Sequence, residues 1–164
     1  MTTPEREVLT WDLFGTASRE LATLVHDSGF APDVVLGIAR GGLVPAGAIA
    51  YALDCKNLFA LNVEFYTGVG TTRDAPVILP PFLNAADLDG KSVLVVDDVA
   101  DSGRTLELVV SFCRGHGDDV RTAVLYDKPA SVVAPDYTWR STERWINFPW
   151  SEPPLVDRTG VLDV

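Results

Sequence analysis

The sequence predicts an α/β fold: a mostly parallel central sheet flanked by helices, with a small C-terminal hood. Two apolar runs, at 34–38 and 93–96, are each followed by a loop of small or charged residues and then by a stretch with helical apolar spacing. That strand, loop, helix order is the building unit of parallel sheets. The 93–96 run is apolar at every position, as a strand buried on both faces requires, and it stops at two adjacent carboxylates, Asp97 and Asp98. A third observation concerns the end of the chain, where residues 135–150 are rich in aromatics and proline and poor in periodicity.

Composition bounds the reading. A chain of 164 residues, 47% hydrophobic and 22% charged, suits one domain with a real core. That domain is expected to fill residues 1–164, with its core at about 10–128 and the hood at about 129–152. A formal net charge of −10 opposes nucleic acid as a partner, because phosphates call for a basic surface. No apolar run approaches the roughly 20 residues that span a bilayer, and no basic stretch precedes an apolar core at the N-terminus. No membrane association and a cytoplasmic location are therefore expected. Cys55 and Cys113 are far apart and form no CxxC, so buried free thiols are a better reading than zinc or a disulfide framework.

In chain order, residues 1–7 are polar and read as loose. Leu13, Ala17, Leu21, Leu24 and Val25 recur at helical spacing and Gly29 ends the pattern, which predicts an amphipathic helix over 10–28. His26 falls near its C-terminal end, where a histidine favours the helix dipole. The strand at 34–38 runs into Ala39-Arg40-Gly41-Gly42 and a helix over 43–53. Glycines let backbone approach an anion closely, and a guanidinium adds a bidentate clamp. A plain glycine-rich turn is the other reading of this loop taken alone.

Residues 57–66 read as a third strand and 67–81 as a loop of glycine, threonine, arginine and proline; 87–91 is a turn feeding the 93–96 strand. After the acid pair, Asp101-Ser102-Gly103-Arg104-Thr105 offers small residues and hydroxyls in a tight turn, and Leu106 opens a helix that ends near 115–117. Backbone N–H groups and the positive end of a helix dipole meet in such a turn, which suits a phosphate dianion. The acids just ahead of it, Asp97 and Asp98, suit sugar hydroxyls or Mg²⁺. A strand at 120–126 leads to Asp127-Lys128-Pro129, at the C-terminal edge where open parallel sheets bind ligands. Lys128 there is either a surface charge or a donor to a carbonyl on a base. In the hood, Trp145 and the backbone near Ile146 offer a stacking face with in-plane hydrogen bonds, whereas Trp150 reads as packing.

The stretch from Val93 to Leu106, an apolar strand, two acids and then Asp-Ser-Gly-Arg-Thr, resembles the phosphoribosyl diphosphate (PRPP) signature of type I phosphoribosyltransferases. Lys128-Pro129, Pro135-Asp136-Tyr137, Trp145-Ile146 and Pro149-Trp150 together resemble the 6-oxopurine branch, the hypoxanthine and xanthine-guanine enzymes. The resemblance covers most of 10–150. It implies the type I fold and purine salvage: transfer of the 5-phosphoribosyl group from PRPP to N9 of a 6-oxopurine, giving a nucleoside monophosphate and diphosphate.

It further implies that Arg40 and Gly41 contact the diphosphate after a cis peptide between Ala39 and Arg40. A mobile loop at 67–76 closes over PRPP, with Arg73 reaching the diphosphate. Asp97 meets the ribose hydroxyls, and Asp98 is the partner of Mg²⁺. Ser102, standing where threonine is commoner, holds the 5′-phosphate together with Gly103, Arg104 and Thr105. Lys128 binds the 6-oxo group, Trp145 stacks on the ring, the Ile146 carbonyl accepts from a 2-amino group, and Asp101 is the general base. A homodimer or higher homo-oligomer is implied as well. A PRPP-binding regulator without significant turnover, or a transferase for another nucleobase, are the alternative readings.

Overall fold

The computed structural model describes residues 5–66, 75–79 and 83–152. Its elements are β1 (Glu7–Val8), α1 (Trp11–Asp27), β2 (Val34–Ala39), α2 (Leu43–Ala52), β3 (Leu58–Tyr66), β4 (Ala75–Leu79), β5 (Ser92–Ala100), α3 (Arg104–Arg114), β6 (Asp119–Asp127), β7 (Tyr137–Ser141) and β8 (Ile146–Asn147). A short 3-10 helix at Ala85–Leu88 precedes β5. Six strands form one sheet in the order β4-β3-β2-β5-β6-β7, parallel throughout except for β4 against β3. β1 and β8 form a separate parallel pair.

Alternation along β5 explains why its apolar run needs no polar face. Leu94 and Val96 pack with Leu21 and Val25 of α1 and Ile49 of α2, while Val93 and Val95 pack with Leu106, Val109 and Cys113 of α3. The sheet is thus covered on both sides, as parallel sheets require. α1 starts where the Thr10 hydroxyl accepts from the Leu13 N–H at 3.2 Å. It ends at Ser28 and at Gly29, whose φ of 80° is left-handed. Its buried stripe is Phe14, Ala17, Ser18, Leu21, Ala22 and Val25; Leu24, which the spacing placed on that stripe, is 47% exposed.

Several expectations are corrected. β5 does not stop at the carboxylates. Its pairing with β6 continues through Asp97↔Val124 to Ala100↔Asp127, so the acids belong to the strand. Pairing of β5 with β2, however, ends at Gly37↔Val96, which leaves the acids without a strand neighbour on that side. The supposed loop at 67–81 contains β4, which pairs antiparallel with β3 from Asn62↔Leu79 to Tyr66↔Ala75. Its Pro76 is tolerated because β4 is an edge strand. The stretch assigned to the hood contains β7, a full member of the sheet. Asp136 fixes its entry by accepting from the Thr122 backbone N–H at 2.8 Å and the Thr122 hydroxyl at 2.9 Å. Finally, β1 begins at Glu7, the last of the residues read as a loose N-terminus, and pairs with the hood at Glu7↔Ile146 and Val8↔Asn147.

Candidate active site

The chain leaves β2 through α2 toward β3 on one side of the sheet's middle and leaves β5 through α3 toward β6 on the other. Loops after β2 and β5 therefore diverge, opening a crevice at the C-terminal ends of the strands where α/β sheets bind ligands. Asp97, Asp98, the 39–42 loop and the 101–105 loop all meet this crevice.

The peptide between Ala39 and Arg40 is cis. Gly41 is glycine for a concrete steric reason: a Cβ there would overlap the Asp98 carboxylate. A Cβ on Gly42 would lie 2.6 Å from the Ile38 carbonyl oxygen and 2.7 Å from that of Val96. The loop after β2 is thus moulded onto the end of β5, and Gly41 makes room for the Asp98 carboxylate. Arg40 is exposed at its rim.

Asp98 is held from two further directions. Its backbone N–H donates to Asp97 Oδ1 at 2.9 Å, and Trp150 Nε1 donates to Asp98 Oδ2 at 3.3 Å. Burial pushes the Asp97 carboxyl well above the usual carboxylate range, and the neighbouring Asp98 charge pushes the same way. Burial raises Asp98 as well, opposed by the Trp150 N–H. Trp150 does pack as expected, stacked on Phe148 at 5.0 Å and edge-on to Phe14 at 5.3 Å. Its bond to Asp98 went unforeseen, because nothing in an aromatic-rich segment says which strand end its N–H will meet.

After β5 the chain turns through Asp101 and Ser102 to Gly103, which has φ 75° and opens α3. Space enforces this glycine too, since a Cβ would strike the Ser131 hydroxyl and come within 3.0 Å of the Val132 and Val133 nitrogens. The turn is pinned from outside by Val132 N–H donating to the Ser102 carbonyl at 2.9 Å and Lys128 N–H to the Ala100 carbonyl at 3.1 Å. Ser102 and Arg104 are exposed and Thr105 half-buried, at the N-terminus of an 11-residue helix.

Beside this turn lies a cavity of about 910 Å³ lined by Asp101, Lys128, Trp145 and Ile146, within the range of small-molecule sites. Lys128 Nζ is 3.2 Å from Asp101 Oδ1 and 5.6 Å from the centre of the Trp145 ring. Trp145 is 64% exposed, whereas Ile146 is buried. Four residues from three separate stretches of sequence thus meet at one wall. Arg40, Asp97, Asp98 and the 102–105 turn lie outside the lining of this cavity. Arg73 and most of the 67–76 stretch lie outside the described residues. The N-terminal Arg6, Val8 and Trp11 also line the cavity and were missed. No periodicity marks them, since Arg6-Glu7-Val8-Leu9 is two polar residues followed by two apolar ones.

A family model described as a phosphoribosyl transferase domain matches residues 5–157. The xanthine-guanine phosphoribosyltransferase of Roseobacter denitrificans is 36% identical over 155 residues, covering 87% of this chain and 83% of that protein. The protein of the same name from Gluconobacter oxydans is 33% identical over 150 residues, covering 90% and 85%. Among solved structures, the purine phosphoribosyltransferase of Pyrococcus horikoshii superposes with a TM-score of 0.80 at 38% identity, covering 93% of this chain and 98% of that one.

Proposed function

The chain belongs to the phosphoribosyl transferase family, and on that premise we propose how its own residues carry the transfer. It is a purine salvage enzyme of the 6-oxopurine branch, moving the 5-phosphoribosyl group of PRPP to N9 of the base and releasing a nucleoside monophosphate and diphosphate.

The observation that carries the assignment of roles is the position of Lys128 between the Asp101 carboxylate and the Trp145 ring. A flat base stacked on Trp145 meets Lys128 at its rim. Lys128 donates to the 6-oxo group, and the Ile146 carbonyl accepts from a 2-amino group where one is present. Asp101 takes the proton from N7 as N9 attacks C1′. The α3 N-terminus, with Ser102, Gly103, Arg104 and Thr105, holds the 5′-phosphate through N–H groups and hydroxyls. Arg40 and the Gly41 backbone hold the diphosphate, and Asp97 orients the ribose hydroxyls.

Magnesium fits the donors present. Among the described residues no group of three or more His, Cys, Asp or Glu forms a cage for a metal, but Asp97 and Asp98 supply hard oxygens at the crevice. Mg²⁺ is commonly held this way, through one or two carboxylates with the rest of its shell from substrate phosphates and water. Two carboxyls that burial makes hard to ionise are relieved by an adjacent cation. Asp98 would hold the ion, which when bound neutralises the departing diphosphate. The supports for a cytoplasmic location and for self-association are, respectively, the two free thiols and the apolar outer face of α2, where Tyr51 is 92% exposed.

Diphosphate release from PRPP and Mg²⁺, measured with hypoxanthine, guanine, xanthine, adenine, uracil and orotate in turn, tests the reading. The expected result is turnover with 6-oxopurines and a loss of about 100-fold or more in Asp101→Asn. Binding of PRPP without turnover of any base would overturn the transfer claim and favour a PRPP-binding regulator.

A further inference from the structure

We propose that Asn147, held in one orientation by Arg6, selects the 2-oxo group of xanthine among the 6-oxopurines; the inference rests on the purine-transfer reading above. β1 and β8 run parallel with Glu7 opposite Ile146 and Val8 opposite Asn147. Paired residues share a face and successive residues alternate. Arg6, Val8, Trp145 and Asn147 therefore form one face of the ribbon, and Glu7 and Ile146 the other. Burial agrees, since Ile146 is in the core at 7% exposure whereas Val8 is 55% and Trp145 64% exposed, and all four residues of the first face line the cavity that holds Lys128 and Asp101.

Arg6 Nη1 donates to Asn147 Oδ1 at 3.1 Å. A guanidinium carries donors only, so it must meet the amide through its oxygen, and the amide NH₂ is turned away from it. Asn147 thus keeps two N–H donors, which no acceptor among the described residues engages, on a residue that lines the cavity. The ribbon also fixes the backbone. The carbonyls of Trp145 and Asn147 accept from Glu7 N–H at 2.9 Å and Leu9 N–H at 3.0 Å, so the intervening Ile146 turns its own polar groups away from β1.

The wall therefore offers two complementary groups toward the 2-position of a stacked base: an acceptor, the Ile146 carbonyl, and a donor, the Asn147 amide. Guanine engages the first with its amino group, xanthine engages the second with its oxo group, and hypoxanthine engages neither. Loss of Arg6 would free the amide to exchange its oxygen and nitrogen, blurring the distinction.

The test is kcat/KM for xanthine, guanine and hypoxanthine in the full chain and in Asn147→Ala, Asn147→Asp, Arg6→Ala and Arg6→Lys. The xanthine-to-hypoxanthine ratio is expected to fall about tenfold in Asn147→Ala, the size of one substrate hydrogen bond. It should fall further in Asn147→Asp, where an acceptor replaces the donor, fall less in Arg6→Ala, and recover in Arg6→Lys, whose ammonium is likewise acceptor-free. A merely structural role would lower all three substrates together and leave the ratio in place. An unchanged ratio in every variant that still turns over overturns the proposal. Failure of the unaltered chain to use any 6-oxopurine would instead overturn the transfer reading beneath it.

Discussion

Tyr126 illustrates how closely function and packing share this molecule. Two residues before Lys128, it is fully buried, edge-on to Trp139 and Phe148, and its hydroxyl has no hydrogen-bond partner among the described residues. An unpartnered buried hydroxyl costs free energy that a phenyl ring does not. Tyr126→Phe is therefore expected to leave stability unchanged or raise it by about 1 kcal/mol, read from urea denaturation at neutral pH. Burial also pushes the Tyr126 phenol up to about 12 from its ordinary value of 10.0. Between those values the unfolded chain has released a proton that the folded chain retains, so stability falls as pH rises through that window. The same denaturation series from pH 9 to 12 should show a shallower fall in Tyr126→Phe; an identical slope would contradict the assignment. Residues whose chemistry is local were legible from sequence in this way. The acid pair, the Asp-Ser-Gly-Arg-Thr turn and Lys128 are contiguous with the strands that carry them, so the sequence alone places them at the end of β5 and after β6. Arg6 and the Trp150 N–H were not legible, because their partners lie 141 and 52 residues away in the chain.

Among elements, those with their own periodicity could be read from sequence. α1, β2, α2, β3, α3 and β6 carry enough apolar residues in phase to declare themselves. β1, β4, β7 and β8 did not, and each is short, at an edge, or paired with a partner distant in sequence. Two-residue strands have no period to detect. Their existence is decided by tertiary pairing, as with Glu7 and Val8 against the hood. The β1–β8 ribbon nonetheless forms part of the cavity wall beside Lys128, which makes its hydrogen bonds testable. Glu7→Pro removes the N–H that donates to the Trp145 carbonyl at 2.9 Å. It is expected to raise KM for the base about fivefold, whereas Glu7→Gln, which keeps the N–H, should raise it much less. Equal effects of the two would place the contribution in the side chain and its 3.7 Å contact with Arg140.

At the scale of the whole molecule, the sheet divides labour by depth. Its centre carries the acids and the loops after β2 and β5, and its β7 side, with the hood, carries the cavity wall of Lys128 and Trp145. α2 is uncharged along its whole length, as in buried helices, yet Leu43 is 42% and Tyr51 92% exposed, with Leu58 of β3 nearby in the chain at 45%. A second copy covering that face would complete its burial. Sedimentation of the full chain is expected to show a dimer or larger, and Tyr51→Glu to shift it toward monomer; a monomeric unaltered chain would refute this. The broad architecture was readable because two strand, loop, helix units dictate a parallel sheet whose crevice lies at strand C-termini.

Parallel pairing of Glu7–Val8 with Ile146–Asn147 joins the two ends of the described chain beside the cavity that holds Lys128. Biosynthesis meets this seam last. A growing polypeptide can expose the signature at 93–106 and Lys128 to the solvent while Arg6, Val8 and Leu9 still wait for a strand not yet made. Until residue 147 clears the ribosome, such a polypeptide has the loops after β2 and β5 and Lys128 in its sequence but lacks the strand that closes the cavity wall. The order of the letters thus delays completion of the cavity until almost all of the described chain has been synthesised.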